Sequence, residues 1–382
     1  MLKNSHDKVK QLIYLYFYVF EMQYIPTVRF KFINNGRLLI LPLILAFSAF
    51  CNIWHFAYQV KSLDNVLDIA VNTNLLIAGV QIIFTVLVVN IGLKRYHLQV
   101  QRYFENIVES AEDFISDARK THLSKSLEIA NTVARGFSIA FIVTCQLYPA
   151  VGLYQTNYVS PFYYRIPGIS STSLFFYPVN ILGQYYIYWH ILFSFVAMDS
   201  LFLIYLFYFR GEIYSINAVS QMLSNQENLG SKCKVILRRI YLDHRELLEE
   251  FTSFSKVLWH FYCYRFLAVI LLMCSSSFSY SRSNSFASGV VLQTLAISLL
   301  VILCVPGQLI DNCSVNLQET LYESLWYEMS LKDQRNFLLI FKGAQRNIKA
   351  ETMAIDKISF STSLQGIKTA ISYAAFVYTV LL

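Results

Sequence analysis

The sequence predicts an all-α membrane protein of seven transmembrane helices, with a cytoplasmic N-terminus, an extracellular C-terminus and helices extended into a cytoplasmic anchor region. Three observations carry that expectation. Hydrophobic residues fill 55% of the 382 positions and charged residues only 14%, whereas a soluble domain carries about 25% charged residues. The charges thin out in seven apolar runs, each long enough to cross a bilayer, for which about 20 helical residues suffice. Finally, 25 of the 31 Lys and Arg residues fall in the N-terminal segment and the second, fourth and sixth connections, against three in the first, third and fifth. Short cytoplasmic connections retain Lys and Arg, so this asymmetry places the N-terminus inside.

The elements follow in order. Residues 1–37 form a cytoplasmic segment whose apolar stretch, Leu12 to Phe20, is too short to span and lacks a small-residue cleavage site. It is expected to lie on the membrane surface as an amphipathic segment. The first span runs from Leu38 to Val60 between Arg37 and Lys61, and the second from Ile69 to Leu93. The third covers Gly136 to Tyr154, and the fourth Val179 to Phe209, with Asp199 its only formal charge. Val257 to Tyr280, the fifth, contains Arg265, and Phe286 to Ile310, the sixth, is uncharged. Spans one to six thus occupy 38–310, residues 311–354 return to the cytoplasm, and 355–382 form a last span that contains Lys357 and Lys368.

The net charge of +7 could mark a polyanion partner. Acids nearly balance the bases within the long connections, however, so these charges read as solvated, salt-bridged helix faces and exclude nucleic acid. Gln99 to Leu127 and Val235 to Trp259 contain no Pro or Gly, so the spans are expected to continue as helices beyond the membrane. The third connection, Gln155 to Pro178, is aromatic and holds Pro161, Pro167 and Gly168. It reads either as a plain structured loop or as a cover for a cavity mouth. None of the seven cysteines lies in an outer connection, which argues against a disulfide framework.

No nucleotide-binding, metalloprotease or nucleophile-elbow motif occurs, and the histidines are scattered, so the sequence predicts no enzyme, metal or cofactor. His190 and Asp199 are about 13 Å apart along a helix and make a poor relay; Asp199 is expected to pair with a base below it. The outer halves of the spans instead carry polar-tipped aromatics. Tyr185, Trp189 and Leu192 share one helical face in the fourth span, Cys145 and Tyr148 one in the third, and Asn72 and Leu76 one in the second. With Thr294 of the sixth span, they form a candidate apolar pocket for a small molecule. Any single Tyr or Trp at this depth serves as well in an interfacial belt.

The C-terminal region adds a resemblance. Leu321-Tyr322, Trp326-Tyr327-Glu328, Arg335, Leu338, Gly343-Ala344-Gln345, Ile358-Ser359 and Lys368 through Ser372 resemble, in order and spacing, the C-terminal signature of insect odorant receptors. The seven-span pattern with an inside N-terminus is similar to that family too. The resemblance implies an odorant-gated, non-selective cation channel in the plasma membrane of olfactory neuron dendrites, with the last helix of each of four subunits around one pore. It places Tyr373, Phe376, Thr379 and Val380 on the pore and makes 311–354 an assembly region, with Trp326, Tyr327 and Phe337 as interface side chains. The shared co-receptor (Orco) carries a long insertion in the fourth connection and a Gln in the pore pattern. This chain has neither, so it resembles an odorant-specific tuning subunit that needs the co-receptor as partner, with a volatile odorant, membrane lipid and permeant cations as its other partners. A gustatory receptor channel is the alternative within the resemblance, disfavoured by Thr379-Val380. A seven-span transporter or G-protein-coupled receptor is the alternative outside it.

Overall fold

The computed structural model describes residues 2–19, 31–58, 76–85, 105, 114–155, 157, 161–162, 165–170, 172–280, 286–346, 348 and 358–381. Among them every long element is a helix: α1 (Leu2–Val19), α2 (Lys31–Tyr58), α3 (Leu76–Thr85), α4 (Phe114–Gln155), α5 (Phe176–Gln221), the short α6 (Gln226–Ser231), α7 (Cys233–Tyr280), α8 (Phe286–Tyr322), α9 (Leu331–Ala344) and α10 (Phe360–Leu381). The stretches Ile115–Tyr154, Phe176–Ser224 and Gly289–Glu328 are long and apolar enough to cross a membrane. A fourth qualifies if Cys233–Lys256 and Phe261–Ser277, bent by 48° relative to each other, count as one span. The protein is an all-α, multi-helix membrane bundle, with three to four long apolar helices among the described residues.

Length explains how the bundle is built. At about 1.5 Å per residue, the 46 residues of α5 extend well beyond the roughly 30 Å of a hydrocarbon core. The expectation that spans continue as helices past the membrane therefore holds for α4, α5 and α7. Helix α5 is the axis of the bundle: every residue from Val196 to Phe209 is buried, as befits a helix that is apolar all round. Helices α1, α4, α7 and α8 pack around it.

Two features differ from the expectations or sharpen them. Helix α1 does not turn its apolar face to lipid. Val9, Leu12, Ile13, Tyr16 and Phe17 are buried against α4 and α5, and the Tyr16 hydroxyl sits 2.7 Å from Ser138 Oγ. The spacing that suits a membrane surface suits an apolar groove between helices equally well. Beyond the apolar stretches, a buried charge network joins three helices. Arg119 of α4 donates from Nε and Nη2 to Glu212 of α5 at 3.0 and 2.8 Å and from Nη1 to Asp243 of α7 at 3.2 Å. Arg239 donates to the other oxygen of Asp243 at 2.9 Å.

Candidate functional site

The site begins where α4 ends. Cys145 and Tyr148 lie one turn apart on α4 and are both buried. Facing them, Tyr188 of α5 donates its hydroxyl to the Cys145 carbonyl at 2.5 Å. The following connection closes over this pair. At Gly152 the carbonyl oxygen of Pro161 comes so near that a Cβ would lie 2.0 Å from it. That approach drops Phe162 into the bundle, where it is only 1% exposed. Its ring centroid is 4.9 Å from Tyr188, 5.9 Å from Tyr148 and 6.5 Å from Tyr185. The connection is fastened again at Ile166, whose N–H donates to Asn180 Oδ1 at 2.8 Å; Asn180 in turn donates to the Phe176 carbonyl at 2.8 Å. The described part of the aromatic connection is thus packed onto the bundle at Phe162 and at Ile166.

The candidate residues distribute unevenly around this cluster. Tyr148 and Tyr185 meet through Phe162, and Cys145 joins them through Tyr188. Farther along α5, Trp189 stacks on Phe193 with centroids 5.0 Å apart, and Leu192 is buried. Leu76 is half-buried on α3. Thr294 is exposed on α8, and its hydroxyl donates to its own helix at the Val290 carbonyl. Asn72 lies outside the described residues. Tyr188 and Phe162 were not among the expected residues. The Tyr-rich run of the fourth span and the aromatic third connection carried the signal, but neither says which ring points inward.

Below the aromatic cluster, a buried ion pair crosses between helices. Arg265 of α7, 1% exposed, donates from Nη2 to Asp199 Oδ2 of α5 at 2.5 Å. Its guanidinium carbon lies 4.4 Å from the centre of the Phe195 ring, a cation–π contact. With the Gln81 amide turned so that its oxygen faces the guanidinium, that oxygen accepts from Nη1 at 2.6 Å and from Nε at 3.2 Å. Asp199 thus finds its base, and the partner is the buried Arg265 of α7.

At the other end of the chain, α10 packs on α7 and α8. Gly366 receives the Phe266 ring so closely that a Cβ would lie 2.8 Å from Cζ, and the Cys274 thiol donates to the Ala370 carbonyl at 3.4 Å. The remaining face is open: Tyr373 is 59% and Phe376 65% exposed, and Thr379 is exposed as well. Val380 belongs to the helix, but its side chain is outside the described residues. In the segment before α10, Trp326 stacks on Phe337 with rings 5° from parallel. Phe337 is buried within this chain, while Tyr327, Leu338 and Leu339 are each exposed.

An end-to-end helical bundle, an aromatic cluster under a folded-in loop and a terminal helix with a bare apolar face accompany a sequence match. Residues 63–371 match the family described as 7tm Odorant receptor. The chain belongs to that family. This odorant receptor also superposes on the insect olfactory receptor OR5 from Machilis hrabei in complex with eugenol, with a TM-score of 0.80, 99% of each chain covered and 11% identity. A second structure of OR5 from Machilis hrabei gives a TM-score of 0.79 at 12% identity, again over 99% of each chain. These likenesses show a shared fold. No curated protein matches the chain. Family membership makes the protein a receptor and not a catalyst, and no group of three or more His, Cys, Asp or Glu among the described residues could hold a metal ion.

Proposed function

We propose that the chain is the odorant-binding subunit of a heteromeric, odorant-gated, non-selective cation channel of the plasma membrane, assembled with the shared co-receptor (Orco). The observation that carries this reading is the family match across 63–371, which includes the aromatic cluster and the first half of α10, up to just before Tyr373. The seven-span arrangement belongs to the proposal, with residues 1–37 cytoplasmic, spans one to six and the pocket within 38–310, an assembly segment at 311–354 and the pore helix at 355–382. Its support is the distribution of Lys and Arg among the connections.

In this reading the odorant is held in the outer half of the bundle by Asn72, Leu76, Cys145, Tyr148, Tyr185, Trp189, Leu192 and Thr294. Such a pocket orients a volatile through a few hydroxyls and holds it through apolar area. The OR5 structure described as a complex with eugenol is a receptor of the same fold holding a small phenol, which suits an aromatic lining. Tyr373, Phe376, Thr379 and Val380 line the pore. The exposure of Tyr373 and Phe376 in the single chain is what a helix facing other subunits requires, and apolar rings there can gate by dewetting. Trp326, Tyr327 and Phe337 mark the assembly region, with Tyr327 the side chain available to a neighbour and Phe337 its buried support.

The test is co-expression with the co-receptor and recording of currents evoked by a broad panel of volatile alcohols, esters, aldehydes and phenols. A cation current is expected, and Tyr185→Ala is expected to shift the potency of the strongest agonist by about tenfold, about 1.4 kcal/mol, without altering ion permeability. An N-terminal tag should become accessible only after the cells are permeabilised. Absence of any evoked current, or a tag exposed on intact cells as in a G-protein-coupled receptor, overturns the reading.

A further inference from the structure

Among the described residues α5, which carries most of the aromatic cluster, packs on α7 and α8, and these in turn pack on α10, so the state of α5 reaches α10 through an intermediate helix. Tyr185, Leu192 and Asp199 recur every seven residues on α5, which keeps them on one face of the helix, with Asp199 about 10 Å below Leu192. Asp199 is therefore on the pocket stripe but below the aromatic cluster. There Arg265 of α7 holds it from within the bundle and packs on Phe195 of the same helix. The next residue of α7, Phe266, is the ring that fills the notch at Gly366 of α10. One short stretch of α7 thus grips the pocket helix with a charge and the pore helix with a ring.

We propose that Arg265 is a positioning residue that couples α5 to α10: through its pair with Asp199 it sets the rotation of α7 at Phe266, and hence the seating of α10 at Gly366. The inference rests on the reading of α5 as a pocket helix and α10 as the pore helix. Apolar packing between helices can slide by small steps. A buried, hydrogen-bonded ion pair resists sliding, because separating the charges leaves both uncompensated in a low-dielectric interior. A rotation of α5 on odorant binding is therefore passed to α7 as a unit, and by α7 to the helix it indents. Coupling energy between two sites needs such a shared element, biased by both.

The experiment uses the full-length chain. Asp199→Asn alone leaves Arg265 without its counter-charge and is apt to impair folding, so the informative variant is the double replacement Asp199→Leu with Arg265→Met, which substitutes an apolar contact for the ion pair. The first readout is hydrogen exchange of the purified, odorant-free protein. Protection in 360–381 should fall about tenfold in the double variant, a factor typical of coupling between sites, while α1 and α9 keep theirs. The second readout, with the co-receptor present, is the current evoked by the strongest agonist of the panel. The double variant should reach the cell surface in normal amount and show the same agonist-induced thermal shift, yet give about a tenth of the wild-type maximal current. Unchanged protection in 360–381 overturns the coupling whether or not the chain gates a channel. So does a double variant with full current, which would make the pair a folding requirement only, or one whose agonist-induced thermal shift is lost, which would place the pair in the pocket itself. A wild-type chain that passes no current, alongside the expected loss of protection, overturns the channel reading and leaves the mechanical link between the helices standing.

Discussion

At Gly152 an added methyl group would meet the backbone oxygen of Pro161 at 2.0 Å, and a backbone atom cannot swing aside as a side-chain tip can. The hydrogen atom in that place lets the third connection lie against α4 and bury Phe162 among three tyrosines. Gly152→Ala is therefore expected to lower the thermal stability of the detergent-solubilised protein, by about 1–3 kcal/mol for an overpacked site. The gain in helix propensity, about 1 kcal/mol at most, offsets only part of that. The substitution should also displace Phe162 and raise agonist concentrations at half-maximal current. At Gly79, where nothing among the described residues lies within 4 Å of an added Cβ, Ala should do neither. A Gly152→Ala variant that melts with the wild type would mean that Pro161 is not seated against Gly152.

Among the elements, α4, α5 and α7 are held together at their charge-bearing ends by Arg119. Its side chain and those of Glu212 and Asp243 are 7%, 1% and 7% exposed, so water screens the network little. Removing the guanidinium takes its ion pair from the buried Glu212 carboxylate, while Asp243 keeps Arg239; breaking such a buried pair costs about 3–5 kcal/mol. The exposed pair of Arg245 and Glu249, 3.7 Å apart, lies in solvent and contributes about 0.5 kcal/mol or less. Arg119→Ala is thus expected to lower the melting temperature clearly and Arg245→Ala hardly at all. Equal effects in a thermal-melt comparison would show that Arg119 is not the joint. The same contrast says why charge counting misleads in this chain: most of the described bases are exposed, and a few hold helices together.

For the whole molecule, acid is expected to be destabilising. His6 of α1 lies 3.0 Å from the Tyr208 hydroxyl, and burial, together with Lys10, holds its pKa below the ordinary histidine value. His244 of α7 is lowered by burial as well. In the unfolded chain both titrate near about 6.5. Above that value both states are neutral there. As the pH falls through it, the unfolded chain takes up protons that the folded chain refuses, so stability declines until the pH passes the folded pKa values. The melting temperature should therefore drop between about pH 7.5 and about pH 5.5, and a variant carrying His6→Gln and His244→Gln should drop less. A decline of the same size in that variant would assign the acid sensitivity to other groups.

How far the sequence alone reaches follows from the range of its signals. The helical class, the long charged extensions of the apolar spans, the receptor family and the absence of an enzyme motif were all legible in it, because apolar runs, charge placement and an ordered C-terminal signature are local or additive properties of the chain. Of the candidate residues, Tyr148 and Tyr185 both meet Phe162 and Cys145 accepts from Tyr188; that they hold an odorant is part of the proposal. What only the tertiary structure decided are the partners across helices. Phe162 fills the centre of that cluster from a connection whose fold no periodicity encodes. Asp199 finds Arg265 66 residues away, and the apolar stripe of α1 finds a groove between α4 and α5 instead of lipid. An amphipathic pattern states that a face must leave water, and a buried charge that it must be paired. Which surface or which charge answers depends on how distant helices pack, and the chain records that only once it is folded.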